Sequence, residues 1–266
     1  PVPMDRRTQY VRVAGEVNIP GIYQLQPGET LDQVLRRAGG FATNAYPYGT
    51  VFVRESTRRQ QQENLDKAVR RLESDINSQS VGLLQNLRES EKADVVQAQL
   101  ASQRMLLSRL QSLRASGRIA LELDAASSAM PSVTLEDGDQ ITVPNRPSFV
   151  GVFGAVTAET GFLHRFNATA RDYLERAGLT RDADDAYAVI IRADGTVESN
   201  QSLNRGWFSF NANVLDKRLN PGDSVFIPEK LDRRTAYSRF IEGVKDWTTI
   251  FYQFGLGAAG IKVLRQ

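Results

Sequence analysis

Five blocks of this sequence occur twice in the same order, and an internal repeat restricts the possible folds more than any other feature of the chain. Val13 to Val17 (VAGEV) is answered by Val152 to Val156 (VFGAV), and Gly21-Ile22-Tyr23 by Gly161-Phe162-Leu163. Thr30 to Gly39 (TLDQVLRRAG) is answered by Thr169 to Gly178 (TARDYLERAG), and Thr50 to Arg54 by Ala188 to Arg192. Leu135 to Pro144 (LEDGDQITVP) is answered by Leu219 to Pro228 (LNPGDSVFIP). Each copy reads as strand, strand, helix, strand and final strand. A helix laid across a small mixed sheet is a β-grasp arrangement of the α+β class. The expectation is therefore two tandem β-grasp domains, residues 1–145 and 146–231, joined at Asn145-Arg146-Pro147, with a C-terminal amphipathic helix over 232–266.

The local signals agree with that order. Tyr10 to Gly15 alternates like a strand, Pro20-Gly21 turns the chain, and Ile22 to Leu25 starts a second strand. Thr30 is a helix cap, Leu31, Val34 and Leu35 share one helical face, and Gly39-Gly40 stops the helix. The first copy differs from the second by an insertion of about residues 56–117. Leu65, Val69, Leu72 and Ile76 form one helical stripe and Val96, Leu100, Leu107 and Leu110 another, which reads as an antiparallel helical hairpin. Gln60-Gln61-Gln62 and Arg70-Arg71 supply its solvated faces. The hairpin is expected to pack along its host domain, with a projecting arm for a partner as the alternative.

At 266 residues, with 41% hydrophobic and 24% charged residues, the chain has the material for two cores. A net charge of +2 without a basic stripe gives no ground for nucleic-acid binding. The absence of cysteine removes disulfides, thiolate catalysis and cysteine zinc sites. Beginning at Pro1 without an initiator Met, the chain reads as a processed protein or a fragment.

The stretch after Asp232 has a different character. Tyr237, Phe240, Ile241, Val244, Trp247, Phe251 and Phe254 fall on one helical stripe, and the polar face nearly vanishes beyond Trp247. A helix of about 18 residues at ~1.5 Å per residue covers roughly 27 Å, close to a bilayer core. Gly255, Gly257, Ala258, Ala259 and Gly260 allow close helix approach, and Lys262 and Arg265 resemble interfacial anchors. The stripe can dock on its own protein, on a neighbouring copy or in lipid.

Groups for catalysis are few. His164 is the single histidine, and it is expected to be structural. Asp182, Asp184 and Asp185 lack the glycine and distal glutamate of a calcium loop, so no metal and no other cofactor is expected. Asp137-Gly138-Asp139 and Gly222-Asp223 recur before the last strand of each copy and read as turns. Arg37 and Arg176 recur on the short helix, where pairing with acids is favoured over contact with an anionic sugar. The protein is not expected to be an enzyme.

The run VAGEVNIPGIYQLQPGETLDQVLRRAGG followed by LEDGDQITVP resembles the SLBB (soluble ligand-binding β-grasp) module. With the tandem repeat, the hairpin closing through GRIALELD and the tail DWTTIFYQFGLGAAGIKVL, the chain is similar to the outer-membrane polysaccharide export family of Wza-like and KpsD-like proteins. It is also similar to the related GfcC-like capsule proteins. The family's N-terminal polysaccharide-export domain and lipid-anchor cysteine are not found in this sequence. The resemblance implies the periplasm and outer membrane of a Gram-negative bacterium, and a homo-oligomer that conducts capsular or extracellular polysaccharide. It also implies delivery of the polymer by an inner-membrane polysaccharide co-polymerase or transporter. The GfcC-like alternative is a soluble periplasmic accessory or glycan-binding protein with its terminal helix docked on its own domains. Sugar contact requires aromatic faces beside amides and arginines. Tyr46 and Tyr48 near Asn44, and Trp207 with Arg205 and Asn204, are the exposed candidates.

Overall fold

The computed structural model describes residues 8–85, 101, 104, 105, 107, 108, 110–200 and 213–230. In the first module, β1 (Tyr10–Gly15), β2 (Gly21–Gln24), β3 (Val51–Val53), β4 (Arg118–Ile119) and β5 (Gln140–Val143) form one sheet in the order β2-β1-β5-β3-β4. In the second, β6 (Phe149–Gly154), β7 (Thr160–Leu163), β8 (Val189–Ile191), β9 (Val197–Ser199) and β10 (Ser224–Ile227) repeat it as β7-β6-β10-β8-β9. The central pairs β1 with β5 and β6 with β10 are parallel, and all other pairings are antiparallel. The fold is α+β with two tandem β-grasp modules.

Each sheet buries one face against one short helix. Alternation puts Val11 and Val13 inward on β1, and Val150 and Val152 inward on β6. Helix α1 (Leu31–Arg37) buries Leu31, Val34 and Leu35 against Phe52, Ile141 and Val143. In the second module, helix α3 (Ala170–Ala177) buries Tyr173 and Leu174 against Ile190, Val225 and Ile227. Both helices begin with a capping box: Thr30 N–H donates to Gln33 Oε1 at 3.0 Å, and Thr169 N–H to Asp172 Oδ2 at 2.7 Å. Both stop at a left-handed glycine, Gly39 and Gly178.

A second pair of glycines is demanded by the parallel pairing. Gly15 and Gly154 have φ of 83° and 96°. A Cβ there would lie 2.0 Å from the Val143 carbonyl oxygen and 2.1 Å from that of Ile227.

The pairing register corrects one detail of the repeat. Val13 pairs with Gly21, but Val152 pairs with Thr160, so Gly21 corresponds to Thr160 and Tyr23 to Phe162. Matching glycine to glycine slips β7 by one residue, which exchanges its two faces. The structure accordingly packs Tyr23 and Phe162 on their cores, while Ile22 is 74% exposed.

The insertion holds α2 (Glu55–Gln85), whose 31 residues extend about 46 Å at ~1.5 Å per residue. Leu65, Val69, Leu72 and Ile76 close on Leu110, with Leu107 and Leu113 beside them. Val96 and Leu100 of the second stripe lie outside the described residues. Among the described residues this cluster shares no member with the core of the first sheet: the stripe of α2 closes on the returning segment. Nor are Gln61 and Gln62 simply solvated. Gln61 Oε1 accepts from Gly117 N–H at 3.0 Å and Gln62 Oε1 from Ala115 N–H at 2.9 Å, tying the returning chain to the root of α2.

Candidate functional site

The two modules meet along a seam built from places where the repeat departs from itself. Tyr46 and Tyr48 flank the start of a 3-10 turn, Pro47–Gly49, which is matched in the second module by Asp185–Tyr187. The equivalent backbone bonds are kept: Tyr46 N–H donates to the Pro144 carbonyl and Asp184 N–H to that of Pro228. The side chains are not, because Asp184 and Ala186 stand where the first module has Tyr46 and Tyr48.

The structure corrects the expected exposure of this pair, since Tyr46 is 4% and Tyr48 5% exposed. Their rings meet edge to face at 5.8 Å, and the Arg146 guanidinium lies 5.6 Å from the Tyr46 ring centre. The Tyr46 hydroxyl donates to the Pro221 carbonyl of the second module at 2.8 Å. A buried phenol needs such a partner, which explains why the tyrosine points across the seam rather than into solvent. Burial, followed by the Asp223 charge, pushes the Tyr46 and Tyr48 hydroxyls above their ordinary pKa, so both are neutral donors at physiological pH. Arg205 and Trp207, and the whole stripe from Tyr237 to Phe254, lie outside the described residues.

Two further contacts cross the seam. Arg118 Nη2 donates to the Ala193 carbonyl at 2.6 Å, and Leu123 N–H donates to Asp194 Oδ2 at 3.1 Å. Asp194 is 2% exposed, and its other oxygen accepts from Thr196 N–H at 2.8 Å and Thr196 Oγ1 at 2.7 Å. Gly195 is in the left-handed region at φ 94°, and a Cβ there would come within 2.8 Å of Arg118 Nε. The turn between β8 and β9 thus receives the arginine of β4 closely.

Beside the seam is an open cleft of about 670 Å³, lined by Tyr48 and the segment 122–126 on one side and by Arg192, Asp194, Thr196, Glu198 and Asn220 on the other. Arg192 organises its second wall. It is 9% exposed, and it donates from Nε to Glu198 Oε1 at 2.7 Å and from Nη1 to Asp223 Oδ2 at 2.7 Å and the Arg218 carbonyl at 2.8 Å. Burial works against its charge, but Glu198 and Asp223 hold its pKa above the ordinary guanidinium value. Asp223 is fully buried and also accepts from Asn220 N–H at 2.8 Å and Ala193 N–H at 2.9 Å. Burial pushes its carboxyl up, while Arg192 and these N–H groups pull the other way.

The same pair exists in the first module, where Arg54 meets buried Asp139 through Nε at 3.1 Å and Nη2 at 2.8 Å. Reading Asp139 and Asp223 as turn residues missed this pairing. The signal was present: Thr50 to Arg54 and Ala188 to Arg192 each end in arginine, and each turn ends in aspartate. Of the other arginines singled out by the repeat, Arg37 pairs with Glu29 at 2.6 Å and stacks on Tyr23, whereas Arg176 is exposed. His164 Nε2 lies 3.0 Å from the Leu219 carbonyl, a link between β7 and the loop before β10.

The arrangement contains hydrogen-bonding groups in quantity. Among the described residues, no helix is long and apolar enough to cross a membrane. Residues 10–55 match the SLBB domain family. Two curated relatives, both polysialic acid transport proteins KpsD of Escherichia coli, are 27% identical over 253 residues. The match takes in 94% of this chain, which spans about 40% of the length of each of those relatives.

Proposed function

We propose that this chain, an SLBB-bearing relative of the polysaccharide export family, is the C-terminal part of an exporter that conducts capsular or extracellular polysaccharide across the outer membrane as a homo-oligomer. The observation that carries this reading is that the likeness to transport proteins runs through both modules and not through the SLBB stretch alone. The chemistry asked of the protein is positional: rigid modules surround a path, and no bond in the polymer is made or broken.

In this reading the modules sit in the periplasm of a Gram-negative bacterium and receive polymer from an inner-membrane co-polymerase or transporter. Residues 232–266 supply the membrane or assembly element. Tyr237, Phe240, Ile241, Val244, Trp247, Phe251 and Phe254 form its apolar stripe toward lipid or neighbouring copies, and the polar remnant is directed to the path. Symmetric assembly spares each chain from enclosing a path alone.

The test compares the whole chain with a version ending at Lys230, by native mass in buffer and in detergent and by flotation with liposomes. The reading predicts oligomers or flotation that require residues 231–266. A whole chain that is monomeric in every condition and never floats would contradict the assembly role of its tail.

A further inference from the structure

We infer that the free edge of β7 is an interaction surface for a second copy of this chain, paired antiparallel through the same strand about a two-fold axis at Phe162. The contact goes beyond the export reading, because an isologous pair cannot repeat around a ring of more than two copies.

The two modules treat equivalent edges differently. Strands β2 and β7 each lie at the end of their sheet. On β6, Gly151 N–H donates to the Asp223 carbonyl and the Phe149 carbonyl accepts from Gly222 N–H, so these residues turn to the β10 side and Val150 and Val152 to β7. His164 N–H donates to the Ser148 carbonyl in the same ladder. The backbone groups of Gly161 and Leu163 therefore point away from the sheet. By the same alternation, those of Ile22 and Gln24 do so on β2. There Arg37, held by Glu29 at 2.6 Å, covers the edge: its Nη1 and Nη2 donate to the Gln24 carbonyl at 3.2 and 3.3 Å. In the second module Ala168 replaces Glu29, and Arg176, the counterpart of Arg37, is exposed. The β7 edge, TGFL, has neither charge nor proline to discourage pairing, while the opposite edges carry Arg118 on β4 and Glu198 on β9.

Self-complementarity names the occupant. A two-fold axis at Phe162 sets Leu163 opposite Gly161 of the second copy, and the reverse, so the outward N–H and C=O groups of each pair meet. Leu163, 75% exposed in the single chain, then lies where Gly161 of the second copy has no side chain. It also reaches the Phe149 ring, which a Cβ on Gly161 would meet at 3.4 Å. The same register brings exposed Arg165 towards exposed Glu159 of the second copy at either end, a complementary pair of charges. Two five-stranded sheets become one continuous sheet, and the edge is closed to other strands.

The test is sedimentation equilibrium of the full chain in buffer, with residue-resolved amide exchange by NMR, from micromolar to near-millimolar concentration. The mass should double as concentration rises. Over the same range exchange should slow by about tenfold or more at Gly161 and Leu163, and stay unchanged at Phe162, whose N–H already faces β6. Leu163→Lys should abolish both effects with an unchanged melting temperature in dilute solution. Ile22→Lys, on the edge that Arg37 covers, should leave both intact. Edge amides that stay unprotected at every concentration, protection that appears only when liposomes are added, or a dimer that survives Leu163→Lys would each overturn the pairing. Flotation and assembly in detergent report on residues 231–266 instead. Tail-dependent assembly that persists without β7 pairing therefore overturns this inference and leaves the export reading standing, and β7 pairing without tail-dependent assembly does the reverse.

Discussion

Gly15 and Gly154 show how a single position can hold each module together. In both, the backbone turns left-handed where a parallel strand comes closest, and the opposing carbonyl oxygen occupies the space of a Cβ. An alanine would need both a strained φ and displacement of the β10 or β5 backbone. We predict that Gly154→Ala lowers unfolding free energy by about 2–5 kcal/mol, from left-handed strain and overpacking together. Chemical denaturation monitored by near-UV circular dichroism measures it, and a loss within experimental error would contradict the close approach. The recurrence of these glycines was legible in VAGEV and VFGAV, but their purpose was not, because the carbonyls they accommodate belong to Val143 and Ile227, far along the chain from Gly15 and Gly154 and brought beside them only by the fold. Asp139 and Asp223 carry the same lesson. A turn explains an aspartate after glycine, whereas full burial against an arginine becomes visible only when the strands are aligned.

At the scale of elements, helices were legible where the governing signal was local. Thr30 and Thr169 announce α1 and α3, and three- and four-residue spacing announces α2. What that spacing lacks is the identity of the partner: Leu65, Val69, Leu72 and Ile76 fit a sheet or another helix equally, and the structure gives them Leu110. The register of β7 was misread because two glycines look alike while alternation, not identity, decides which side faces the core. The caps also make a pH prediction. The Thr169 backbone N–H, then its hydroxyl, hold the Asp172 carboxyl below its ordinary 3.8. At the root of α2, Arg58 and then Arg59 lower Glu55 to about 2. A depressed carboxyl stabilises the fold above its unfolded pKa and loses that contribution as pH falls through the folded one. Carboxyl carbon NMR should thus give both groups midpoints below their ordinary values, with the first turns of α3 and α2 losing amide protection as these groups protonate. Midpoints at or above the ordinary values would contradict the capping account.

For the whole molecule, the seam makes two copies of one module into a pair with a fixed relation. The tyrosines that do this occur in only one copy, a departure from the repeat that is visible in the sequence, but they read there as exposed candidates for sugar contact near Asn44 and not as a buried junction. Tyr46→Phe removes the hydroxyl that reaches Pro221 and leaves the ring in place. It should weaken the coupling between modules by about 0.5–1.5 kcal/mol, seen as broadening or splitting of the thermal transition, while either module keeps its own core. An unchanged transition would mean that the seam does not couple them.

The measurement that bears most directly on polysaccharide export is replacement of the matching stretch of Escherichia coli KpsD by this chain in cells lacking their own KpsD, followed by quantification of surface polysialic acid. The account predicts surface polymer above the level of cells without KpsD, and its loss when residues 231–266 are deleted from the chimera. A chimera that accumulates and assembles like KpsD yet leaves surface polymer at that background level would contradict it.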